Sequence, residues 1–141
     1  MFAIPLEGVS DSMKIVKVHH VAIICSDYAK SKRFYTEILG LPIISEVHRA
    51  KRGSYKLDLA LPGGVQIELF SFRNSPKRIS HPEACGLRHL AFEVMDIDQE
   101  VAALMSQGVP VEEVRLDALT RKSFTFFSDP DGLPLELYET G

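Results

Sequence analysis

The chain has 141 residues, of which 45% are hydrophobic and 25% charged, and its formal net charge is −3. This length suits one well-buried domain, and so small a charge gives no reason to expect a nucleic acid or an anionic membrane as partner. No apolar run approaches the roughly 20 residues that cross a bilayer. Cys25 and Cys85 show neither disulfide nor metal-site spacing, which favours reduced thiols in a cytoplasmic protein.

Residues 1–16 are predicted to be an N-terminal extension and lead-in that precede the domain. The first twelve residues lack the basic start and the long apolar stretch of a secretory signal. Met13 opens a lysine-flanked apolar stretch and is a candidate for the natural start. We therefore expect residues 1–12 to be an appendage.

Residues 17–73 predict a βαβββ unit. A β-like run begins at Lys17, and Ser26 or Asp27 then provides the N-cap of a helix that Gly40 ends. Extended stretches follow from residue 43, at 55–61 and at 65–70, with a Pro-Gly-Gly turn at 62–64.

Residues 87–139 repeat this order after a polar linker at 74–86. A β-like run at 87–94 precedes a helix with Asp96 or Asp98 as N-cap, and Gly108 ends that helix. The apolar face of this helix is predicted to contain Ile97, Val101, Leu104 and Met105. Extended stretches follow at 109–114, 123–127 and 133–138, with a turn at 129–132. Each unit is too small to bury its own sheet, so the two should pair as one α+β domain over residues 17–139.

Superposing the two units aligns His20 with His89 and Glu68 with Glu136. The histidine and the glutamate are 48 residues apart in the first unit and 47 in the second. A single strand histidine or glutamate is usually structural or solvent-facing, but here the same pair recurs at the same spacing. Two imidazoles and two carboxylates suit one divalent ion of Ni, Co, Zn, Mn or Fe. His19 is the weaker candidate, since it points to the opposite strand face and aligns with Arg88.

These residues and their surroundings resemble the vicinal oxygen chelate superfamily. Within it, the chain resembles the small glyoxalase-I-like bacterial proteins of the YaeR type. The resemblance covers about residues 17–139 and depends on Asp27 and on segments 20–23, 34–41, 66–69, 89–92 and 129–136.

The resemblance implies the glyoxalase/bleomycin resistance/dioxygenase fold, in which paired βαβββ modules form a curled mixed sheet around one metal ion. It implies that the four aligned residues are the ligands, and that Glu136 acts as the general base or shares this role with Glu68. The implied activity is lyase or isomerase chemistry through a metal-stabilised enediolate. A homodimer is expected, and the site lies either within one chain or between two.

Two positions depart from bacterial glyoxalase I. Ile24 and Phe72 stand where that enzyme tends to carry an arginine and an asparagine that hold glutathione. We therefore expect a small oxygenated substrate other than a glutathione adduct. The alternatives are a non-catalytic small-molecule-binding protein of this fold and an extradiol-type dioxygenase, whose iron uses two histidines and one carboxylate.

Basic residues precede the third strand of each unit, which favours an anionic substrate if these loops reach the mouth of the site. Solubilising loop charges are the equally plausible interpretation. Tyr55 and Phe72 are candidates for an apolar wall, although strand aromatics are as often core. The candidate substrate-binding residues are Arg49, Arg52, Tyr55, Phe72, Arg121 and Lys122.

Overall fold

A computed structural model describes residues 11–140 of the chain. Most of the predicted N-terminal extension, residues 1–10, lies outside the described residues. Within the described range, the helices are all too short or too polar to span a bilayer.

The first module contains β1 (His20–Cys25), α1 (Tyr28–Arg33), β2 (Ile43–Arg49), β3 (Ser54–Ala60) and β4 (Gln66–Ser71). The carboxylate of Asp27 accepts a hydrogen bond from the Lys30 N–H at 3.1 Å, which caps α1. One π-helical stretch, Phe34–Ile38, continues the helix. The sheet order is β1-β4-β3-β2, with β1 parallel to β4 and the other pairs antiparallel.

The second module repeats this topology with β5 (Leu90–Val94), α2 (Ile97–Ser106), β6 (Arg115–Leu116), β7 (Ser123–Ser128) and β8 (Pro134–Glu139). Its sheet order is β5-β8-β7-β6, and β5 is parallel to β8. Asp96 caps α2 by accepting from the Gln99 N–H at 3.1 Å. The two βαβββ modules predicted from the sequence are thus confirmed, as two separately hydrogen-bonded mixed sheets.

Two local expectations differ from the structure. The stretch 109–114 forms no strand. It bonds to β7 only through isolated hydrogen bonds, such as the one that the Glu112 N–H donates to the Phe126 carbonyl at 2.9 Å. Met105 is 61% exposed and does not belong to the apolar face of α2. Ile97, Val101 and Leu104 fill that face at helical spacing, and Met105 falls one position beyond it.

Buried side chains of both modules form one core, which includes Leu57, Leu69, Leu135 and Leu137. The helical segment of the first module reaches the second module through adjacent aromatic residues. The Phe34 ring lies 6.4 Å from the Phe127 ring, and the Tyr35 hydroxyl donates to the carboxylate of Asp129 at 2.7 Å. At the same turn, the backbone N–H of Ser26 donates to Asp131 at 3.0 Å. The modules therefore dock through the turn that precedes β8.

Candidate metal centre

The first half-site consists of His20 and Glu68. His20 begins β1, and Glu68 lies in the middle of β4, opposite Ala22 in the parallel register. The His20 Nε2 atom is 3.6 Å from the Glu68 Oε1 atom, and the two side chains are 41% and 14% exposed. A partly exposed imidazole and a mostly buried carboxylate thus share one face of the first sheet.

The second half-site consists of His89 and Glu136. Glu136 lies opposite Ala91, which repeats the offset between Glu68 and Ala22. The His89 Nε2 atom is 3.5 Å from the Glu136 Oε1 atom, with side chains 31% and 14% exposed. We call the sheet face that carries each half-site its site face.

The donor atoms within each half-site suit two ligands of one ion. Two ligands about 2.1 Å from a tetrahedral zinc ion are about 3.4 Å apart, close to both histidine–glutamate separations. However, over residues 11–140 no group of three or more His, Cys, Asp or Glu side chains converges on a position for a metal ion. A single chain therefore presents the predicted ligands as two separate pairs.

The surroundings of the first half-site are polar. The Lys56 ammonium lies 3.1 Å from the Asp58 Oδ1 atom and 3.9 Å from the Glu68 Oε2 atom. The Ser45 hydroxyl donates to Asp58 at 2.9 Å. Burial raises the pKa of Asp58, but the hydrogen bonds from Lys56 and Ser45 and the charge of Lys56 outweigh it, so the pKa lies below its usual value.

The surroundings of the second half-site are aromatic. Phe126 pairs with Glu136 in register and contacts the His89 ring edge to face at 5.1 Å. Phe124 follows on the same face, and the Arg115 guanidinium lies over both phenylalanine rings, at 5.0 Å from Phe124 and 6.0 Å from Phe126.

These neighbouring residues are not among the candidates predicted from the sequence. Superposing the units aligns Asp58 with Phe126, because each pairs with the glutamate of its own sheet. The same register aligns Lys56 with Phe124. The repeat itself contained the signal, since these positions alternate with buried residues on strands next to the ligand strands.

Tyr55 and Phe72, the two candidates for an apolar wall of the site, lie on opposite faces of the first sheet. Tyr55 lies on the face opposite Glu68, where its ring stacks between Tyr28 at 4.1 Å and His48 at 4.2 Å. The structure therefore does not bring Tyr55 to the half-site. Phe72 follows β4 in phase with Glu68 and stacks on Phe70 at 5.9 Å, which places it along the site face.

The basic candidates lie at the ends of the sheets. Arg49 ends β2, and Arg52 lies in the following exposed turn. Arg121 and Lys122 lie in the loop between β6 and β7. Tyr138, two residues beyond Glu136, donates to Asp117 in this loop at 3.1 Å, so the loop is attached beside the second half-site.

An apolar groove of about 870 Å³ lies between the modules. It borders β1 at Val21 and extends along β5; His20 is the first residue of β1, and His89 directly precedes β5. β1 and β5 are also the edge strands of their sheets, each paired on one side within the described residues.

Residues 17–137 match the Glyoxalase/Bleomycin resistance protein/Dioxygenase superfamily, and the chain belongs to it. Within that superfamily, the chain is similar to proteins of the YaeR type. It is 63% identical to the uncharacterized protein YaeR of Escherichia coli over 123 residues, which are 87% of this chain and 95% of YaeR. It is 58% identical to the uncharacterized protein YwkD of Bacillus subtilis over 127 residues, 90% of this chain and 99% of YwkD.

A solved structure supports the same placement. The crystal structure of the glyoxalase family protein from Enterococcus faecalis aligns with a TM-score of 0.84 and 49% identity. The alignment covers 90% of this chain and all of that protein. The resemblance to this superfamily and to its YaeR-type group is thus confirmed.

More distant relatives are enzymes. The 2-epi-5-epi-valiolone epimerase of an Actinomyces species is 29% identical over 143 residues, 86% of this chain and 78% of the epimerase. The metallothiol transferase FosB of Staphylococcus saprophyticus is 30% identical over 127 residues, 88% of this chain and 77% of FosB. The superfamily therefore includes enzymes of different reaction types.

Proposed function

We propose that this protein is a metal-dependent, glyoxalase-like enzyme whose site forms between two copies of the chain. His20 and Glu68 of one chain and the partner subunit's His89 and Glu136 would together hold one divalent ion. The observation that carries the proposal is the pair of equivalent half-sites, each with a histidine and a glutamate 3.5 to 3.6 Å apart. Neither half-site finds a third ligand among residues 11–140 of its own chain.

A second copy of the chain is the partner that best completes the site. Each half-site supplies the ligands that the other lacks, so a homodimer completes two sites at once by symmetry. The groove of about 870 Å³ borders the strands beside both histidines, and its apolar lining is the kind of surface that a permanent partner covers.

The proposed reaction is the isomerisation of a small α-hydroxy carbonyl compound or a closely related lyase step. A bound divalent ion would polarise the substrate carbonyl and stabilise an enediolate. Glu136 would take the proton from the carbon beside the carbonyl and return it to the neighbouring carbon. The net change moves one hydrogen between the two carbons and one hydroxyl proton between their oxygens, so no oxidant or reductant is consumed.

The contacts of the two glutamates favour Glu136 as the base. Glu68 lies 3.9 Å from the Lys56 ammonium, which holds its carboxylate within a charged cluster. The Glu136 Oε1 atom lies 3.5 Å from the His89 Nε2 atom, and on the neighbouring strand Glu136 is flanked by the apolar ring of Phe126. A carboxylate beside an apolar wall is easier to shift toward a substrate carbon than one that is tethered by an ammonium group.

The residues near the first half-site also favour a substrate without glutathione. Ile24 is 57% exposed and Phe72 is 40% exposed, so both positions present apolar side chains where the resemblance leads us to expect a glutathione-binding arginine and asparagine. Arg49, Arg52, Arg121 and Lys122 supply positive charge around the sheet ends. We propose an anionic substrate on this basis.

Metal analysis of the purified protein tests the ligand set. Protein purified without chelator should contain about one equivalent of divalent metal per chain by mass spectrometry. His89→Ala should contain almost none, while His81→Ala, which removes an 87% exposed histidine of the linker, should match the wild type. Wild-type protein that refuses added Ni, Co, Mn, Fe and Zn would refute the proposal and favour a non-catalytic binding protein.

Proton exchange tests the reaction. The metal-loaded protein is incubated with α-hydroxy carbonyl compounds in D₂O, and NMR follows deuterium at the carbon beside the carbonyl. Because Glu136 is also a proposed ligand, wild type and Glu136→Gln are compared with added metal at a concentration that saturates both, and exchange that the variant then lacks supports the assigned base. Consumption of catechols and oxygen without such exchange would favour the dioxygenase alternative instead.

A further inference from the structure

The repeat of the two modules breaks down beside the ligands. Where the first sheet places Asp58 and Lys56, the second places Phe126 and Phe124. The metal ligands are duplicated, but the residues around them are not. A metal site alone needs no such difference, so the difference points to an asymmetric substrate.

We propose that the second half-site binds a substrate with a flat, unsaturated or aromatic body and a carboxylate at its far end. The rings of Phe124 and Phe126 contact the flat body, and the guanidinium of Arg115 pairs with the carboxylate. This inference rests on the proposed function, because the near end of the substrate must chelate the metal.

The aromatic side chains form a continuous path away from the ligands. The His89 ring lies 5.1 Å from Phe126, and Phe126 lies 6.2 Å from Phe124, both edge to face. Both phenylalanines lie on the site face, in register with Glu136 and Tyr138. A flat molecule that starts at the metal would contact these ring surfaces, and such contacts favour aromatic or unsaturated groups.

Arg115 ends this path with a positive charge. Its guanidinium is 6.0 Å from the Phe126 ring, so with the contact between Phe126 and His89 its distance from the His89 ring is at most about 11 Å. One benzene ring between a chelating group and a carboxylate fits within this limit. The flat guanidinium is suited to stack on rings and to bind a carboxylate through two N–H groups at once.

The present partner of Arg115 does not account for its position. Its ion pair with Glu112 spans 3.3 Å between side chains that are 51% and 63% exposed. Such exposed pairs contribute little to stability and exchange readily. An incoming carboxylate can therefore replace Glu112, while the phenylalanine rings keep the guanidinium in place.

Three hydroxamate probes test the assignment on cobalt-loaded protein by calorimetric titration. Acetohydroxamate supplies only the chelating group, benzohydroxamate adds a ring, and 4-carboxybenzohydroxamate adds the carboxylate. The wild type should bind the carboxylated probe about tenfold more tightly than benzohydroxamate, the gain expected for one charge-assisted pair. Benzohydroxamate should in turn bind more tightly than acetohydroxamate.

Variants separate the two contacts. Arg115→Met should remove the preference for the carboxylated probe, and Phe126→Leu should reduce the preference of the ring-bearing probes over acetohydroxamate. Arg33→Met is the matched control, because Arg33 forms a similar exposed pair with Glu37 at 3.1 Å on helix α1. Metal content and melting temperature confirm that each variant is folded and loaded.

The outcomes distinguish the inference from the proposed function. Loaded wild type that binds all probes equally or binds none, or an Arg115→Met variant that keeps the full preference, overturns the inference while leaving the metal site intact. A chain that takes up no metal overturns the proposed function and the inference with it.

Discussion

Replacing Tyr35 with phenylalanine tests how the two modules are held together. Tyr35 is fully buried and Asp129 is 5% exposed, and the tyrosine hydroxyl donates to the carboxylate at 2.7 Å. A hydrogen bond to a charged, buried acceptor contributes about 1.5 to 3 kcal/mol. We expect Tyr35→Phe to lower the free energy of unfolding by that amount.

Urea unfolding followed by circular dichroism measures this loss, at one chain concentration and with a chelator present, because dimerisation and metal binding add to apparent stability. With a slope of about 1 to 3 kcal/mol per molar urea, the midpoint should fall by roughly 1 M. Tyr28→Phe is the control, since its hydroxyl donates to the exposed Glu46 and should contribute less than about 1 kcal/mol.

The stability lost by Tyr35→Phe should also depend on pH, in a direction that the surroundings of Asp129 determine. Burial raises the pKa of Asp129 in the folded protein, while the hydrogen bond from Tyr35 lowers it. The variant therefore has a still higher pKa, and its ionised carboxylate is costlier to bury. As the pH falls through the raised folded pKa, Asp129 becomes protonated and the deficit relative to wild type should shrink. Equal losses for Tyr35→Phe and Tyr28→Phe, or a deficit that grows on acidification, would refute this account of the docking.

Two further predictions concern single residues. Burial raises the pKa of the Cys25 thiol to about 11, so at pH 8 a thiol reagent should label the exposed Cys85 quickly and Cys25 only after denaturation; rapid labelling of both in the folded protein would contradict this. Gly53 has φ +57, and a Cβ there would displace the exposed, flexible Arg73 side chain, whose Nε atom lies 2.0 Å away. The positive φ is the main cost, so Gly53→Ala should destabilise the protein by about 1 kcal/mol in thermal unfolding. Gly108→Ala shares the positive φ and meets nothing within 4 Å, so it should show a similar loss, and no loss in either variant would contradict the backbone argument.

The local structure was predictable because local chemistry determines it. The sequence offers Ser26 or Asp27 and Asp96 or Asp98 as N-caps, and in the structure Asp27 and Asp96 cap the two helices. The repeat predicted two equivalent modules, each with one histidine and one glutamate at matching positions. Those inferences need only neighbouring residues and one internal comparison.

The features of the site that the sequence did not predict depend on strand register and on how the two modules dock. Tyr55 lies on the face opposite Glu68 because the turn at Pro62–Gly64 sets the pairing of β3 with β4. A shift of one residue would exchange the faces, and the sequence does not specify it. Likewise, nothing local to Tyr35 indicates that it donates to Asp129 in the other module. Because this contact helps to set how the modules dock, the separation of the two half-sites could not be predicted from the sequence.

Subunit complementation tests the shared metal centre most directly. One variant, His20→Ala with Glu68→Ala, lacks the first half-site, and the other, His89→Ala with Glu136→Ala, lacks the second. In a dimer of one of each, one site loses all four ligands and the other keeps all four. Random pairing makes half of the dimers mixed, so one quarter of the sites should be restored.

The two variants are unfolded together, refolded at equal concentration with added metal, and desalted before metal analysis. Each variant refolded alone and refolded wild type define the lower and upper limits. The proposed assembly predicts metal at about one quarter of the wild-type level in the mixture and almost none in either variant alone. A mixture as empty as its components, beside a loaded and dimeric wild type, would contradict a site shared between chains.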